Sequence, residues 1–121
     1  MDRAFDRFST PVGECLVVVE DGALVELSFR PKRDPDARRD PGTVRRFRKA
    51  VEGYFESGEF PRVPLDLSWA TPFRRAVYDV VMSIPRGRLL TYGEVAARAG
   101  RGSARAVGQA MGANRICLAV P

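Results

Sequence analysis

The sequence predicts an α+β protein in two parts. A small N-terminal antiparallel sheet with one helix (residues 1–65) precedes a helical, winged-helix-like domain with a helix-turn-helix (residues 66–121). Three observations carry this reading. The first thirty residues hold short apolar runs separated by Pro-Val-Gly and Asp-Gly, which is strand and turn chemistry. Two later stretches carry apolar residues at helical spacing. Residues 91–114 then write two short capped helices with a tight turn between them.

Taken in order, Phe5 to Ser9 reads as a strand, Pro11-Val12-Gly13 as a turn and Glu14 to Val19 as a second strand. Glu20-Asp21-Gly22 reads as a hairpin turn in which Gly22 supplies a positive φ, and Ala23 to Phe29 as a third strand. Residues 31–42 carry three prolines among charges of both signs and read as a loop. From Thr43 to Ser57, Val44, Phe47, Val51, Tyr54 and Phe55 recur at helical spacing. A meander packed on one helix accounts for this half, and no catalytic constellation stands out in it. Residues 58–70, with Pro61 and Pro64, read as a linker.

Thr71-Pro72 is a helix start, an N-cap followed by proline at the first helical position. Phe73, Ala76, Val77, Val80, Val81 and Ile84 give the helix one apolar face, and Pro85-Arg86-Gly87 ends it. Thr91 with Glu94 three residues on is a capping box, which sets Tyr92 in the first turn of the next helix. Gly100 is a left-handed stop and Ser103 caps the last helix. That helix is built of Ala104, Ala106, Gly108, Ala110 and Gly112 alternating with Arg105, Val107, Gln109 and Met111. Val107 and Met111, four apart, are expected to face inward. Glycine inside a helix costs up to about 1 kcal/mol relative to alanine, so small residues here signal close approach. The approaching surface is either another helix or the wall of a nucleic-acid duplex.

Charge is unevenly spread. Residues 1–68 hold 12 Lys or Arg against 13 Asp or Glu, whereas residues 69–121 hold 8 arginines against 2 acids. The eight are Arg74, Arg75, Arg86, Arg88, Arg98, Arg101, Arg105 and Arg115. A basic domain with a helix-turn-helix has the electrostatics of a nucleic-acid binder. There is no histidine, which excludes a His-containing triad or a His-ligated metal site within these residues. Cys15 and Cys117 form neither a disulfide framework nor a zinc spacing. No run reaches the roughly 18 apolar residues of a membrane span, and the start does not look like a signal peptide. No metal, cofactor or membrane is expected, and a reducing cytoplasm is the expected compartment.

Four segments, in order and spacing, resemble the O6-alkylguanine-DNA alkyltransferase family: Thr71-Pro72-Phe73, Ile84-Pro85-Arg86-Gly87, Thr91-Tyr92-Gly93-Glu94-Val95-Ala96, and residues 104–114 (ARAVGQAMGAN). The N-terminal Thr10-Pro11-Val12-Gly13, Asp21-Gly22 and Leu27-Ser28-Phe29 resemble it too. The resemblance implies single-turnover repair without a cofactor: a monomer binds double-stranded DNA carrying O6-alkylguanine, flips the base and moves its alkyl group onto a cysteine. By position, Tyr92 resembles the tyrosine that crowds the target phosphate, and Arg105 the finger that fills the vacated place in the duplex. Ala104, Ala106, Gly108 and Arg74 fall at DNA-facing positions. Met111, Val120 and Pro121 fall on the alkylguanine pocket, and Asn114 on the hinge leading to the active-site segment.

The family continues from its hinge into a Pro-Cys-His-Arg segment, and here its proline falls on Pro121. The nucleophile is therefore expected directly after Pro121, with no catalytic residue within the chain. Cys117 lies five positions too early for that role. The 121 residues are expected to be a fragment or a truncated form, unable to perform the transfer. Two other classes share some of these features. Alkyltransferase-like lesion binders resemble the same DNA-binding domain but replace the cysteine and generally lack the N-terminal part. A helix-turn-helix regulator would need a dimerisation helix, and nothing here resembles one.

Overall fold

The computed structural model describes residues 2–30, 36–85, 87–100 and 102–120. Its architecture is the expected α+β, four strands and four helices in the order β1 (Arg3–Thr10), β2 (Gly13–Glu20), β3 (Ala23–Ser28), β4 (Arg38–Arg39), α1 (Pro41–Ser57), α2 (Pro72–Met82), α3 (Tyr92–Arg98) and α4 (Ala104–Gly112). The chain forms two compact units. One comprises residues 1–66 with 115–119, the other residues 67–114 with 120–121. No helix among the described residues is long and apolar enough to cross a membrane.

The first unit is a four-stranded sheet ordered β3-β2-β1-β4. The β1–β2 and β2–β3 pairs are antiparallel and joined by two-residue turns, as Thr10↔Gly13 and Glu20↔Ala23 show. Asp21 joins Gly22 at positive φ (50° and 82°), the backbone that a tight Asp-Gly hairpin requires. β2 is the central strand, and Cys15, Leu16, Val17, Val18 and Val19 are all buried. On β1 the alternation brings Ala4, Asp6 and Phe8 inward. α1 packs on β1 and β2 and buries Val44, Phe47, Ala50 and Val51.

Asp6 is a buried carboxylate in this otherwise apolar layer. It accepts the Arg7 backbone N–H at 2.9 Å and faces Arg48 and Arg39, each at 3.5 Å. Arg48 in turn lies over the Phe8 ring, 4.8 Å from its centroid. The buried charge is thus compensated from three directions, which a lone carboxylate in an apolar layer requires.

The region read as a loop over residues 31–42 differs from that expectation at its end. Residues 31–35 lie outside the described residues, but Arg38–Arg39 form β4, pairing parallel with Ala4 and Phe5. α1 starts at Pro41, two residues before Thr43, because the Asp40 side chain accepts the Thr43 N–H and proline occupies the first turn. The free edge of β3 is also covered. Leu24 exchanges backbone bonds with Pro64 and Asp66, both at 2.8 Å, and Leu27 with Arg115 (2.8 Å) and Cys117 (3.0 Å). Residues 115–119, placed with the C-terminal domain by sequence, therefore add to the sheet of the first unit. Just beyond, the Ala119 N–H bonds the Cys117 carbonyl at 2.7 Å, a γ-turn that holds Leu118 at a strained φ of 67°.

The second unit is a small helical core. α2 contributes Val77, Tyr78 and Val81, α3 contributes Val95 and Ala96, and α4 contributes Val107 and Ala110. Tyr78, absent from the apolar face expected of α2, is fully buried, and its hydroxyl donates to the Ala110 carbonyl at 2.5 Å. Its ring lies 5.7 Å from that of Trp69. Of the α4 pair expected to face inward, Val107 is fully buried and Met111 only half-buried, because Ala110 takes the neighbouring core place.

Candidate nucleic-acid interface

The helix-turn-helix is α3, the turn over residues 99–103, and α4. Its first cap is a full capping box. Thr91 Oγ1 accepts the Glu94 N–H at 3.1 Å, and Glu94 Oε1 accepts the Thr91 N–H at 3.0 Å. Hydrogen bonding from Thr91 to the carboxylate, the backbone N–H foremost and the side chain next, holds the Glu94 carboxyl below the usual glutamate range, and Arg98 one turn on adds to the effect. Ser103 caps α4 by accepting the Ala106 N–H at 3.2 Å. The turn runs through Gly100 at φ +91° and Gly102 at φ +99°. Gly102 is doubly constrained, since a Cβ there would sit 2.7 Å from the Phe73 ring at the start of α2. Sequence reading missed Gly102. Its signal is a second glycine two positions after the helix stop.

Tyr92 is half exposed on the first turn of α3. Its ring lies over Gly108 of α4, where an added Cβ would fall 3.4 Å from Cε2 and 3.6 Å from Cδ2. The close approach signalled by Gly108 is therefore to this tyrosine ring. Ala104 and Arg105 on the first turn of α4 are exposed, and Ala106 is half-buried. Arg105 makes no ion pair with another described residue, and neither do Arg74, Arg75, Arg88 and Arg98. Arg86 and Arg101 lie outside the described residues.

At the far end of α4, the Asn114 side-chain amide donates to the Val120 carbonyl at 2.8 Å. One asparagine thus ties together the two ends of the 115–119 excursion, and Val120 is buried. The structure brings Tyr92 to Gly108 and Asn114 to Val120. Arg74 lies half-buried on α2 and makes neither a hydrogen bond nor an ion pair to Arg105 or Tyr92, and Pro121 lies outside the described residues. In the first unit, burial pushes the Cys15 thiol up to about 12, with Cys117 adding to the effect. The Cys117 thiol is also raised, mainly by burial and further by Glu26. Both are poor thiolates at neutral pH.

A capped helix-turn-helix that presents small side chains, an exposed tyrosine and arginines without ion partners among the described residues is a nucleic-acid-binding unit on an α+β scaffold. The comparisons identify the kind. Residues 72–121 match the family model described as "6-O-methylguanine DNA methyltransferase, DNA binding domain". A methylated-DNA--protein-cysteine methyltransferase of Saccharolobus islandicus is 34% identical over 97% of this chain and 76% of its own length. The one from Methanothermobacter thermautotrophicus is 40% identical over 84% of the chain and 59% of its own length. The crystal structure of Mycobacterium tuberculosis O6-methylguanine methyltransferase superposes with a TM-score of 0.86 at 31% identity, covering 98% of this chain and 75% of that one. A structure of the same protein in complex with DNA superposes at 0.85. The chain belongs to the methylated-DNA--protein-cysteine methyltransferase family.

Proposed function

We propose that this chain is the DNA-engaging part of a cytoplasmic, monomeric repair protein acting on O6-alkylguanine in duplex DNA. The observation that carries the reading is Arg105, exposed on the first turn of α4 between the small residues Ala104 and Ala106 and without an ion partner among the described residues. Ala104 and Ala106 let that helix approach the duplex closely, Gly108 contributes to the DNA-facing surface by seating the Tyr92 ring against the helix, and Arg74 adds a phosphate contact. Tyr92, braced over Gly108, presses on the target phosphate, and the Arg105 guanidinium occupies the gap left by the flipped nucleotide. Unstacking a base costs a few kcal/mol, which stacking and hydrogen bonding by the inserted guanidinium partly offset. Met111, Val120 and Pro121 then form part of the alkylguanine pocket, with the Asn114 bond to Val120 fixing its geometry.

In the transfer, a thiolate attacks the alkyl carbon. The bond from O6 to that carbon breaks, a carbon–sulfur bond forms, and guanine leaves with a proton restored to it. Neither Cys15 nor Cys117 is suited to be that thiolate, and the acceptor of this reading is the cysteine of the family's Pro-Cys-His-Arg segment, whose proline falls on Pro121. Two measurements test the reading. A fluorescent flipped-base reporter should brighten with the wild-type chain and stay dark with Arg105→Ala, while duplex association falls far less; unchanged emission removes the finger role. Intact-mass spectrometry after incubation with O6-benzylguanine should show no increment on these 121 residues. One alkyl group mapped to Cys117 would overturn the acceptor assignment.

A further inference from the structure

α1 carries two charged faces of opposite character. On one, Arg48 bonds Glu52 at 3.4 Å and lies 3.5 Å from the buried Asp6 carboxylate. On the other, Arg45, Arg46 and Lys49 are exposed and make no ion pair with another described residue. Arg45 and Lys49 stand one turn apart, a spacing at which like charges destabilise a helix. The chain leaving α1 then adds to the repulsion, because it brings Arg62 to the same place. The four cations line an open groove of about 600 Å³ beside Ala50 and Val63, and no acidic side chain among the described residues lines it.

Converging positive charge without a counter-charge creates a potential that an anion relieves. Arginine forks suit phosphate oxygens, which they hold by paired, charge-assisted hydrogen bonds. The groove is open along the surface and, among the described residues, has no aromatic or large aliphatic lining to anchor a peptide side chain, so an extended polyanion fits it better than an acidic peptide. We propose that this groove binds the phosphodiester backbone of DNA, as a contact of the first unit separate from the helix-turn-helix. The choice of DNA as the polyanion rests on the repair reading above.

The test is the salt dependence of binding to undamaged duplex, followed by fluorescence anisotropy. The triple variant Arg45→Gln, Arg46→Gln, Lys49→Gln should bind about tenfold or more weakly. Its plot of log affinity against log salt should be shallower by roughly 2–3, since each lost phosphate contact removes about 0.9. A control triple of equal charge, Arg7→Gln, Arg30→Gln, Arg38→Gln, should keep the wild-type slope, and the charge-retaining Arg45→Lys, Arg46→Lys pair should restore it. A groove triple with the wild-type slope overturns the proposal alone, as does an equal loss in both triples. A groove triple that keeps DNA affinity but loses polyglutamate binding assigns the groove to an acidic protein and overturns it too. Failure of the wild-type chain to bind any duplex sinks both this proposal and the repair reading.

Discussion

The two units handle most of their charge differently. In the first, Arg3 pairs with Glu20, Arg7 with Glu14, Arg38 with both Asp2 and Asp40, and Arg48 with Asp6 and Glu52. In the second, Arg74, Arg75, Arg88, Arg98 and Arg105 make no ion pair with a described residue, and only Asp79 and Glu94 supply acids. Packing differs in the same sense. α1 anchors itself with Val44, Phe47 and Val51, whereas α4 buries only Val107 and Ala110 and takes a hydrogen bond from Tyr78 onto its backbone. Outside the groove lined by Arg45, Arg46 and Arg62, arginine in the first unit is part of what holds the fold together. In the second it is left for an external anion, on a helix thin enough to approach one.

The contrast is broken most severely at Tyr78, the bulky anchor on which the small-residue helix depends. Tyr78→Ala should destabilise the second unit by about 3–5 kcal/mol through the cavity it leaves. Tyr78→Phe, which keeps the ring and loses the hydroxyl that bonds Ala110, should cost about 1 kcal/mol. Urea denaturation with Trp69 as the fluorescent reporter separates the two, and equal losses would mean that the hydroxyl bond, not the ring, carries the anchor.

The contrast is sharpened by exchanging like for like. Arg48→Ala removes a partner of the buried Asp6 and the cover over Phe8, and should cost about 1–2 kcal/mol. Arg105→Ala should change stability by less than about 0.5 kcal/mol, the range of an exposed side chain with no partner to lose. Thermal melts of the two variants read this directly, and equal destabilisation would erase the distinction between paired and unpaired arginines.

The smallest effect concerns Glu94. Its carboxyl is held below the usual range in the folded state, so it contributes stability at pH above the unfolded value of about 4.3. That contribution fades as pH falls through the lower folded value. Acid unfolding of the second unit should therefore be shifted in Glu94→Gln, which lacks the titrating group, with the two proteins converging once pH has fallen through the folded value. A pH titration of circular dichroism shows it, and parallel curves throughout would remove the capping box from the acid response.

How legible these features were depended on how local they are. The Asp21-Gly22 hairpin, the Thr91–Glu94 box, the Ser103 cap and the Gly100 stop are each written within four residues, and all stand where the sequence puts them. The start of α1 was obscured because Asp40-Pro41-Gly42 reads as turn chemistry as readily as it reads as an N-cap with proline behind it. Tyr78 was passed over because its polar tip hides a residue whose ring belongs to the core. The Tyr92–Gly108 and Asn114–Val120 contacts follow from tertiary geometry. Spacing could flag Gly108 as a site of approach, but not what approaches.

The strand edge of β3 has a consequence for how the protein is made. Leu27 is paired by Arg115 and Cys117, nearly ninety positions further along. A nascent chain that has completed its hairpins still carries an uncapped edge until those late residues emerge, and exposed edges are templates for unwanted pairing. The first unit is therefore not separable by cutting at residue 66. A 1–66 fragment should expose half of that edge and aggregate, and adding a peptide that spans residues 114–120 should restore its solubility.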